Sequence, residues 1–333
     1  MQPGTYLDHD TDEISYSDFI NKELILFSMA DNVRSIPSVA DGLKPGQRKV
    51  IWACFKRKLK KEIKVDARIL CTMSSILISS CPIPQVAQLV GYISEHAAYH
   101  HGEQSLTMTI VNLAQDYVGS NNLNLLLPNG QYGTRDQGGK DHASARYIFT
   151  EPAPITRTIF HPADDPLLNY LKEDNDQIEP EWYIPVLPLI LINGAEGIGT
   201  GLSQISSPFP SGVGDLLNVG WSTSVPSYNP RDVVANIRRL MAGEEQEPML
   251  PWWRGFKGTI KKTGDHKYDI TGIARKASDT TIEITELPIH RWTQTYKAEL
   301  EAMIGEKGDG MVKVCWIEYL PSWNGGVELP VGL

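Results

Sequence analysis

The sequence predicts an α+β protein, because helix-type and strand-type apolar spacing dominate different halves of the chain. In the first half, apolar residues recur every three or four positions, as in amphipathic helices. In the second half, short stretches alternate apolar and polar residues, as half-buried strands do. The 333 residues are 41% hydrophobic and 21% charged, which suits one large or two medium globular domains.

Six segments carry enough helix-type spacing to predict helices. Residues 18–32 place Leu24, Phe27 and Met29 near one side. Residues 48–60 are apolar on one side and basic on the other. The remaining predicted helices are 86–96, 105–117, 231–241 and 293–304.

A Gly-rich segment at 128–133 follows the short helices predicted at 86–96 and 105–117. Its composition is typical of a hairpin. Short helices followed by a hairpin fit a winged-helix DNA-binding domain. The first half of the chain is therefore predicted to form such a domain.

Beyond Pro152, prolines become frequent and strand-type patterns begin. The apolar run 184–192 predicts a buried strand. Alternating residues predict further strands at 257–260, 268–273 and 281–284. Together with the two later helices, these strands indicate an α/β subdomain.

The net charge of −9 does not by itself favour a nucleic-acid partner, but the local charge distribution does. Between residues 44 and 64 the only acid is Glu62. A solvated helix face is the simpler explanation of such a run, but its density favours a surface that follows phosphates. The cations are Lys44, Arg48, Lys49, Lys56, Arg57, Lys58, Lys60, Lys61 and Lys64.

Arg146 and Tyr147 are adjacent in a Gly-rich, polar segment. A phenol has a pKa of about 10, so it is a poor nucleophile at neutral pH unless something activates it. A guanidinium can hold a phosphate and stabilise the charge that develops during phosphoryl transfer. The pair is therefore a candidate for tyrosyl attack on a nucleic-acid backbone, although most tyrosines simply pack.

His100 and His101 are candidates for proton transfer or phosphate contact, because imidazole can do either near neutral pH. The alternative is a structural histidine pair.

Ile198 lies between glycines in the segment Gly194 to Gly199. Glycines that present a β-branched apolar residue suit a wedge pushed between base steps. A nucleotide-binding turn is the alternative, but Leu202 occupies the third glycine position of that motif and no Gly-Lys-Ser/Thr follows.

No metal site is predicted. Asp8, Asp10 and Asp12 alternate as metal ligands can, but the glycine and distal glutamate of a calcium loop are missing. We interpret residues 1–13 as a linker. The four cysteines contain no C-x-x-C pair, so neither a zinc site nor a disulfide framework is indicated.

The chain from residue 14 to 311 resembles the DNA breakage-reunion core of eukaryotic type IIA DNA topoisomerases, in a fungal-like version. Many specific segments occur in the family's order, and Arg146-Tyr147 falls where the family keeps its catalytic pair. The segments are YSDFINKEL (16–24), SIPS (35–38), DGLKPGQRKV (41–50), YHHGE (99–103), GSNNLN (119–124), GTR (133–135), EPEWY (179–183) and NGAEGIGTG (193–201).

The resemblance implies residue roles. Tyr147 would form a transient ester with a 5′ phosphate, and Arg146 would stabilise the pentavalent phosphate. Lys44, Arg48, Tyr99 and Ser105 resemble the family's DNA-backbone contacts, Lys49 joins them from the basic run, and Ile198 is the wedge.

The resemblance also implies a domain division. Residues 14–150 would be the winged-helix domain, and 151–313 a truncated tower-like α/β subdomain. Segments 66–85 and 202–220 interrupt the resemblance, and the tail 314–333 has no counterpart. Genuine loop insertion is one explanation; our hypothesis is retained introns, which sequencing of the mature transcript would test.

By resemblance, the whole enzyme uses Mg²⁺ and ATP, bound by domains absent from this sequence. The expected partner is double-stranded DNA, the full-length enzyme is a homodimer, the location is the nucleus, and no membrane is involved. The alternative function is a non-catalytic DNA-binding fragment or an inactive truncated product.

Overall fold

A computed structural model describes residues 12–57, 85–199, 222–264, 267–278 and 281–303, with strands at 314–315, 318–319 and 327–332. Helices combine with small antiparallel sheets, which confirms the α+β prediction. Apart from Gln85, the segments 66–85 and 202–220 lie outside the described residues, as does the linker before Asp12.

The first helical stretch consists of α1 (Tyr16–Asp18), a π-helix (Phe19–Leu24) and α2 (Ile25–Ser35). The Ser15 hydroxyl accepts a hydrogen bond from the Asp18 N–H at 3.1 Å, which satisfies one of the donors left free at a helix start. The helix predicted at 18–32 is confirmed and is longer at both ends.

Helix α3 (Pro45–Lys56) starts three residues before the predicted position. Proline suits the first helical position, because its fixed φ matches a helix and its missing N–H has no partner there. The Gln47 side chain accepts the Lys44 N–H at 2.9 Å, so the helix start is capped.

Helices α4 (Val86–His96) and α5 (Glu103–Ala114) confirm the next two predictions. They pack against α3 and against each other. Burial of each Leu or Ile side chain contributes roughly 1.5–3 kcal/mol, so this packing supplies the core of the three-helix unit. Fully buried members are Ile51, Leu89, Ile93, Leu106 and Ile110.

A hairpin that the sequence did not predict follows α6 (Thr156–Ile159) and the 3-10 helix Pro162–Leu167. Strands β1 (Tyr170–Glu173) and β2 (Asp176–Pro180) pair antiparallel. Asp174 and Asn175 connect them with φ of +47° and +70°. Two such residues are typical of a type I′ hairpin turn.

The buried strand predicted at 184–192 is wrong. Ile184 and Val186 are 60% and 64% exposed, and the chain becomes helical at α7 (Leu189–Asn193). Pro185 and Pro188 explain the difference, because proline has no N–H for a strand ladder.

Strand β3 (Ala195–Ile198) pairs antiparallel with β4 (Ser222–Val225). Helix α8 (Pro230–Ala242) follows, with an Asn229 side-chain cap at its start and Gly243 at φ +75° after its end. These two residues fix both ends of the helix predicted at 231–241.

The remaining elements are small antiparallel sheets and one helix, and they include the other predicted strands and the last predicted helix, with ends shifted by up to four residues. These elements are β5 (Thr259–Gly264), β6 (Lys267–Thr271), β7 (Ile273–Lys276), β8 (Thr281–Glu286), α9 (Thr293–Ala302), β9 (Val314–Cys315), β10 (Glu318–Tyr319) and β11 (Val327–Gly332). Of these, β7 and the tail strands β9 to β11 were not predicted.

Candidate nucleic-acid interface

Tyr147 lies on a segment that is hydrogen-bonded on two sides. On one side, Ala143 and Phe149 donate their N–H groups to Gln131 O and Asn129 O, both at 2.9 Å. On the other side, Val86 N–H donates to Ile148 O at 3.0 Å, and Ala87 N–H donates to Ala145 O at 3.2 Å. The segment therefore caps the first turn of α4 with its own carbonyls.

The same segment turns the Tyr147 side chain outward. Ile148 is fully buried, whereas Tyr147 is 68% exposed, and the Tyr147 N–H closes a turn by donating to Ser144 O at 2.9 Å. The Arg146 guanidinium carbon lies 5.6 Å from the Tyr147 ring centroid, within the range of a cation–π contact. The phenol and the guanidinium are thus presented to solvent together from a fixed backbone.

Tyr132 supports this segment from beneath. It is buried, and its hydroxyl donates to Phe149 O at 2.7 Å. Burial raises the pKa of Tyr132 to about 12, because a phenolate would lose its hydration there. The hydroxyl therefore stays protonated and donating across the neutral pH range.

The loop from Gly133 to Asp141 is closed by side-chain bonds. The two Asp141 oxygens accept from the Thr134 N–H at 2.9 Å and from the Thr134 hydroxyl at 2.7 Å. Gly133 has a φ of +95°, and a Cβ there would lie 2.5 Å from Gly139 Cα. Only glycine fits such a close approach in this conformation.

A second group of predicted residues surrounds the loop between α4 and α5. The Tyr99 and His101 rings meet edge to face at 5.5 Å, and the Tyr99 hydroxyl donates to Ser105 Oγ at 3.2 Å. His100 Nε2 lies 3.0 Å from Glu173 Oε1. This loop therefore brings four of the predicted site residues together.

Lys44 borders the same loop. It directly precedes α3, and a Cβ at Gly46 would lie 3.7 Å from the Tyr99 ring. The start of α3 and the histidine loop therefore share one surface. The rest of the basic run, from residue 58 to 64, lies outside the described residues.

Arg48 and Lys49 face the interior. Arg48 forms a buried, two-bond ion pair with Asp41, at 2.8 and 3.0 Å. Lys49 Nζ lies 2.9 Å from the Glu179 carboxylate and donates to Ala97 O at 2.5 Å. Both cations are paired inside the fold, so neither presents its charge to DNA in this structure.

Ile198 projects from the β3–β4 hairpin and is 76% exposed. Its neighbours face the other way. A Cβ at Gly197 would lie 2.7 Å from Ser35 O, and one at Gly199 would overlap Asn32 Oδ1. Because successive strand residues point to opposite sides, the glycines let the strand press onto α2 while Ile198 points outward. Close packing against α2 therefore accounts for Gly197 and Gly199.

The predicted residues thus form three exposed groups: the Arg146–Tyr147 pair, the histidine loop with Lys44, and Ile198. Within the described residues, no hydrogen bond or ring contact joins Tyr147 to either histidine.

Sequence reasoning missed a buried junction at Asn122. Its amide donates to Ile192 O at 2.8 Å and to Trp252 O at 3.0 Å, and its oxygen accepts from the Arg254 N–H at 2.8 Å. The only signal was its place in the Asn-rich stretch from Asn121 to Asn124, because the partners of Asn122 lie 70, 130 and 132 residues away. Asn122 joins the helical first half of the chain to the second half, which carries Ile198.

A second missed link is Arg135. It forms a buried ion pair with Glu286 of β8 and donates to Leu287 O at 2.7 Å. The two halves of the chain are therefore joined by charge as well as by amide contacts.

Among the described residues, no group of three or more His, Cys, Asp or Glu side chains is arranged to hold a metal ion. Nor does that part of the chain contain a helix with the length and hydropathy needed to span a bilayer.

Two family models match the chain. One, which describes the A subunit of DNA gyrase/topoisomerase IV, matches residues 34–69, 65–212 and 210–320. The other, described as the C-terminal associated domain of TOPRIM, matches residues 1–32. This second match includes the segment that we interpreted as a linker and continues into α2.

Curated relatives share about half of the aligned residues. DNA topoisomerase 2 of Arabidopsis thaliana is 54% identical over 310 residues, which cover 92% of this chain and 18% of the relative. DNA topoisomerase 2 of Saccharomyces cerevisiae is 51% identical over 317 residues, covering 95% and 19%. The chain therefore spans about a fifth of the length of these relatives.

Among solved structures, the chain is similar to the DNA-binding, cleavage and re-ligation domain of Plasmodium falciparum topoisomerase II. The two share 44% identity with a TM-score of 0.77, over 98% of this chain and 39% of that one. With a family model matched across most of its length, the chain belongs to the family of the DNA gyrase/topoisomerase IV A subunit.

Proposed function

We propose that this chain is the breakage-reunion segment of a type II DNA topoisomerase and that Tyr147 is its nucleophile. The observation that carries the proposal is the exposed Tyr147 phenol, fixed beside Arg146 on a segment bonded to the start of α4. The relatives of this chain are DNA topoisomerases, which supports DNA as the substrate of the exposed phenol.

In the proposed reaction, the Tyr147 phenolic oxygen attacks a backbone phosphorus and displaces the 3′ oxygen. The P–O3′ bond breaks, a phosphotyrosyl ester to the 5′ side forms, and the departing oxygen takes up a proton as a hydroxyl. The phenolic proton passes to a base, for which His100 and His101 are the candidates. Resealing reverses these steps. It needs no new energy source, because the phosphotyrosyl ester replaces the broken phosphodiester bond.

Arg146 has the chemistry to steady the phosphate while its charge grows, since a guanidinium offers fixed donors to phosphate oxygens. Lys44, Tyr99 and Ser105 supply donors suited to the DNA backbone. Ile198 is proposed to enter a base step and kink the duplex.

We further propose that the longer enzyme is a nuclear homodimer that uses Mg²⁺ and ATP. Mg²⁺ would stabilise the attacking and leaving oxygens when bound. The described residues offer no cluster to hold it, so the steps assigned to this chain use its own side chains.

The test is transfer of a labelled DNA end to the protein. The full chain is incubated with labelled plasmid and Mg²⁺, alone and with the metal-binding domain of a topoisomerase 2 relative added separately, and then treated with detergent and protease. We expect a labelled peptide that contains Tyr147, and its complete loss in Tyr147→Phe.

Tyr228→Phe is a matched control, because it also removes a phenol hydroxyl but the ring is partly buried and lies outside the three exposed groups. DNA retention without a covalent label in either arm would instead favour the non-catalytic DNA-binding fragment.

A further inference from the structure

The β1–β2 hairpin carries two carboxylates that contact the elements around His100. Glu179, in β2, pairs with Lys49 of α3 at 2.9 Å. Glu173, in β1, lies 3.0 Å from His100 Nε2. One hairpin thus reaches both the helix beneath the histidine loop and a side chain on it.

The Glu179 contact fixes the start of the loop. Lys49 Nζ donates to Ala97 O as well as pairing with Glu179, and Ala97 caps the end of α4. Ala98 then adopts a φ of +48°, which is uncommon for a residue with a side chain and requires support from its surroundings. The backbone leading to His100 is therefore held in place by contacts inside the fold.

The Glu173 contact fixes the imidazole itself. Glu173 directly precedes the tight turn at Asp174 and Asn175 and pairs across the hairpin with Asp176. A type I′ turn sets the strand register, so the carboxylate reaches His100 from a defined position. His100 is 73% exposed and Glu173 is 43% exposed, so the ring remains accessible to a large ligand.

A carboxylate on one ring nitrogen determines what the other can do. When Nε2–H donates to Glu173, the neutral ring presents an unprotonated Nδ1 that can accept a proton, and the protonated ring presents an Nδ1–H donor. A carboxylate also holds the imidazole in one orientation, as in catalytic triads. The other charged or titratable groups on the same hairpin turn and loop are Lys172, Asp174 and Asp176 of the hairpin, His101 of the loop and Glu103 at the start of α5.

We propose that Glu173 is a positioning residue that holds His100 by Nε2 so that its Nδ1 edge serves the DNA backbone. The inference rests on the proposed function and extends it to a residue outside the motifs around Tyr147. In this role Glu173 acts through His100 and makes no contact with DNA.

A rival interpretation of the same contact predicts the opposite effect of Glu173 on DNA binding. A carboxylate on His100 could occupy the place of a phosphate, so that DNA must displace it. Removing Glu173 would then strengthen DNA binding, whereas a positioning residue would weaken the chemistry when removed. The anchored loop backbone favours positioning, because the hairpin stabilises the loop at two points.

The experiment compares variants of the full chain in two measurements. One is the affinity for a labelled duplex, by fluorescence anisotropy. The other is the rate of covalent adduct formation on the same duplex, under the conditions in which the wild type forms adduct. The variants are Glu173→Ala, Glu173→Gln, His100→Ala, the double variant Glu173→Ala/His100→Ala, and the control Asp176→Asn.

For Glu173→Ala we expect the rate of adduct formation to fall roughly tenfold or more, because loss of a proton-transfer group has an effect of at least that size. The affinity for the duplex should be unchanged or weaker. Glu173→Gln should retain part of the rate, because its amide oxygen can still accept from Nε2–H. Asp176→Asn removes a negative charge from the residue that pairs with Glu173 on the opposite strand of the hairpin. It should change neither measurement by more than about twofold.

The double variant should behave like His100→Ala, since Glu173 acts only through that ring. The positioning role would be overturned if Glu173→Ala bound the duplex more tightly. It would also be overturned if Glu173→Ala lowered the rate of adduct formation equally with and without His100. Failure of the wild type to bind or cleave DNA would overturn the proposed function itself, which the Tyr147→Phe comparison identifies separately.

Discussion

The Tyr132 hydroxyl donates to Phe149 O at 2.7 Å, two residues beyond Tyr147. This partly buried bond ties the candidate nucleophile's segment to the Gly-rich segment opposite it. We expect Tyr132→Phe to lower the free energy of unfolding by about 1 kcal/mol, since the ring packing stays and one hydrogen bond is lost. Urea titration measures this change; Tyr296→Phe, on the partly exposed face of α9, should change it by less.

Stability should fall at high pH. Burial raises the pKa of Cys54 from 9.0 to about 12, and the pKa values of Tyr117 and Tyr132 from 10.0 to about 12. Between pH 9 and 12 the unfolded chain releases these protons while the folded chain keeps them. Their stabilisation is therefore complete below pH 9 and is lost as the pH approaches 12.

Cys54→Ala isolates one of these groups. At pH 8 the variant should be less stable, because it leaves a small cavity in the core. Between pH 8 and 11, however, the free energy of unfolding should decrease less in the variant than in the wild type. The difference between the two decreases should grow by up to roughly 1.4 kcal/mol for each pH unit above 9. If the free energy of unfolding fell equally steeply with pH in both proteins, the raised pKa of the Cys54 thiol would be contradicted.

Gly197→Ala should displace the hairpin that carries Ile198. The added Cβ would lie 2.7 Å from Ser35 O and 2.8 Å from Pro37 Cδ, too close for either atom to remain in place. We expect a lower melting temperature, measured by calorimetry. Under the proposed function we also expect weaker DNA bending, measured by energy transfer across a labelled duplex. Gly91→Ala is the control, because a Cβ there meets nothing within 4 Å and alanine favours a helix by up to about 1 kcal/mol.

Ile198→Ala should separate bending from stability. The side chain is 76% exposed, so its removal should change the free energy of unfolding by no more than about 0.5 kcal/mol. Under the proposed function, duplex bending should decrease because the wedge is gone. Unchanged energy transfer in the bound duplex would remove Ile198 from the proposed interface.

Removing one partner of the Arg48–Asp41 pair should be costly. Both side chains are buried, and Asp41 also accepts the N–H groups of Leu43 and Tyr183 at 2.9 Å. We expect Arg48→Ala to destabilise the protein by about 3–5 kcal/mol, because a buried carboxylate loses its counter-ion. Arg291→Ala breaks the exposed pair with Glu299 and should cost less than about 1 kcal/mol.

Local patterns predicted the helices well because their determinants are local. The helix expected at 231–241 is present as Pro230–Ala242, with its first residue, cap and terminal glycine all adjacent in sequence. The hairpin from Tyr170 to Pro180 was missed because its residues are mostly polar and exposed. The run 184–192 was misassigned because apolar composition outweighed the effect of Pro185 and Pro188.

The candidate site divides in the same way. Adjacent residues such as Arg146 and Tyr147 can be found by motif, and the structure exposes both. The interior position of Lys49 could not be predicted, because its partner Glu179 is 130 residues away. A basic run in sequence does not reveal which of its cations a distant carboxylate will neutralise.

The backbone bonds between the Tyr147 segment and α4 have a mechanical consequence. Val86 and Ala87 use their N–H groups on that segment, so the tyrosine cannot shift without fraying the end of a helix whose apolar face lies in the core. Under the proposed chemistry, a cleaved DNA end esterified to Tyr147 would move together with this segment and α4 as one rigid body. Separating two such ends would then require whole helical units to move apart, with no local swing of the side chain.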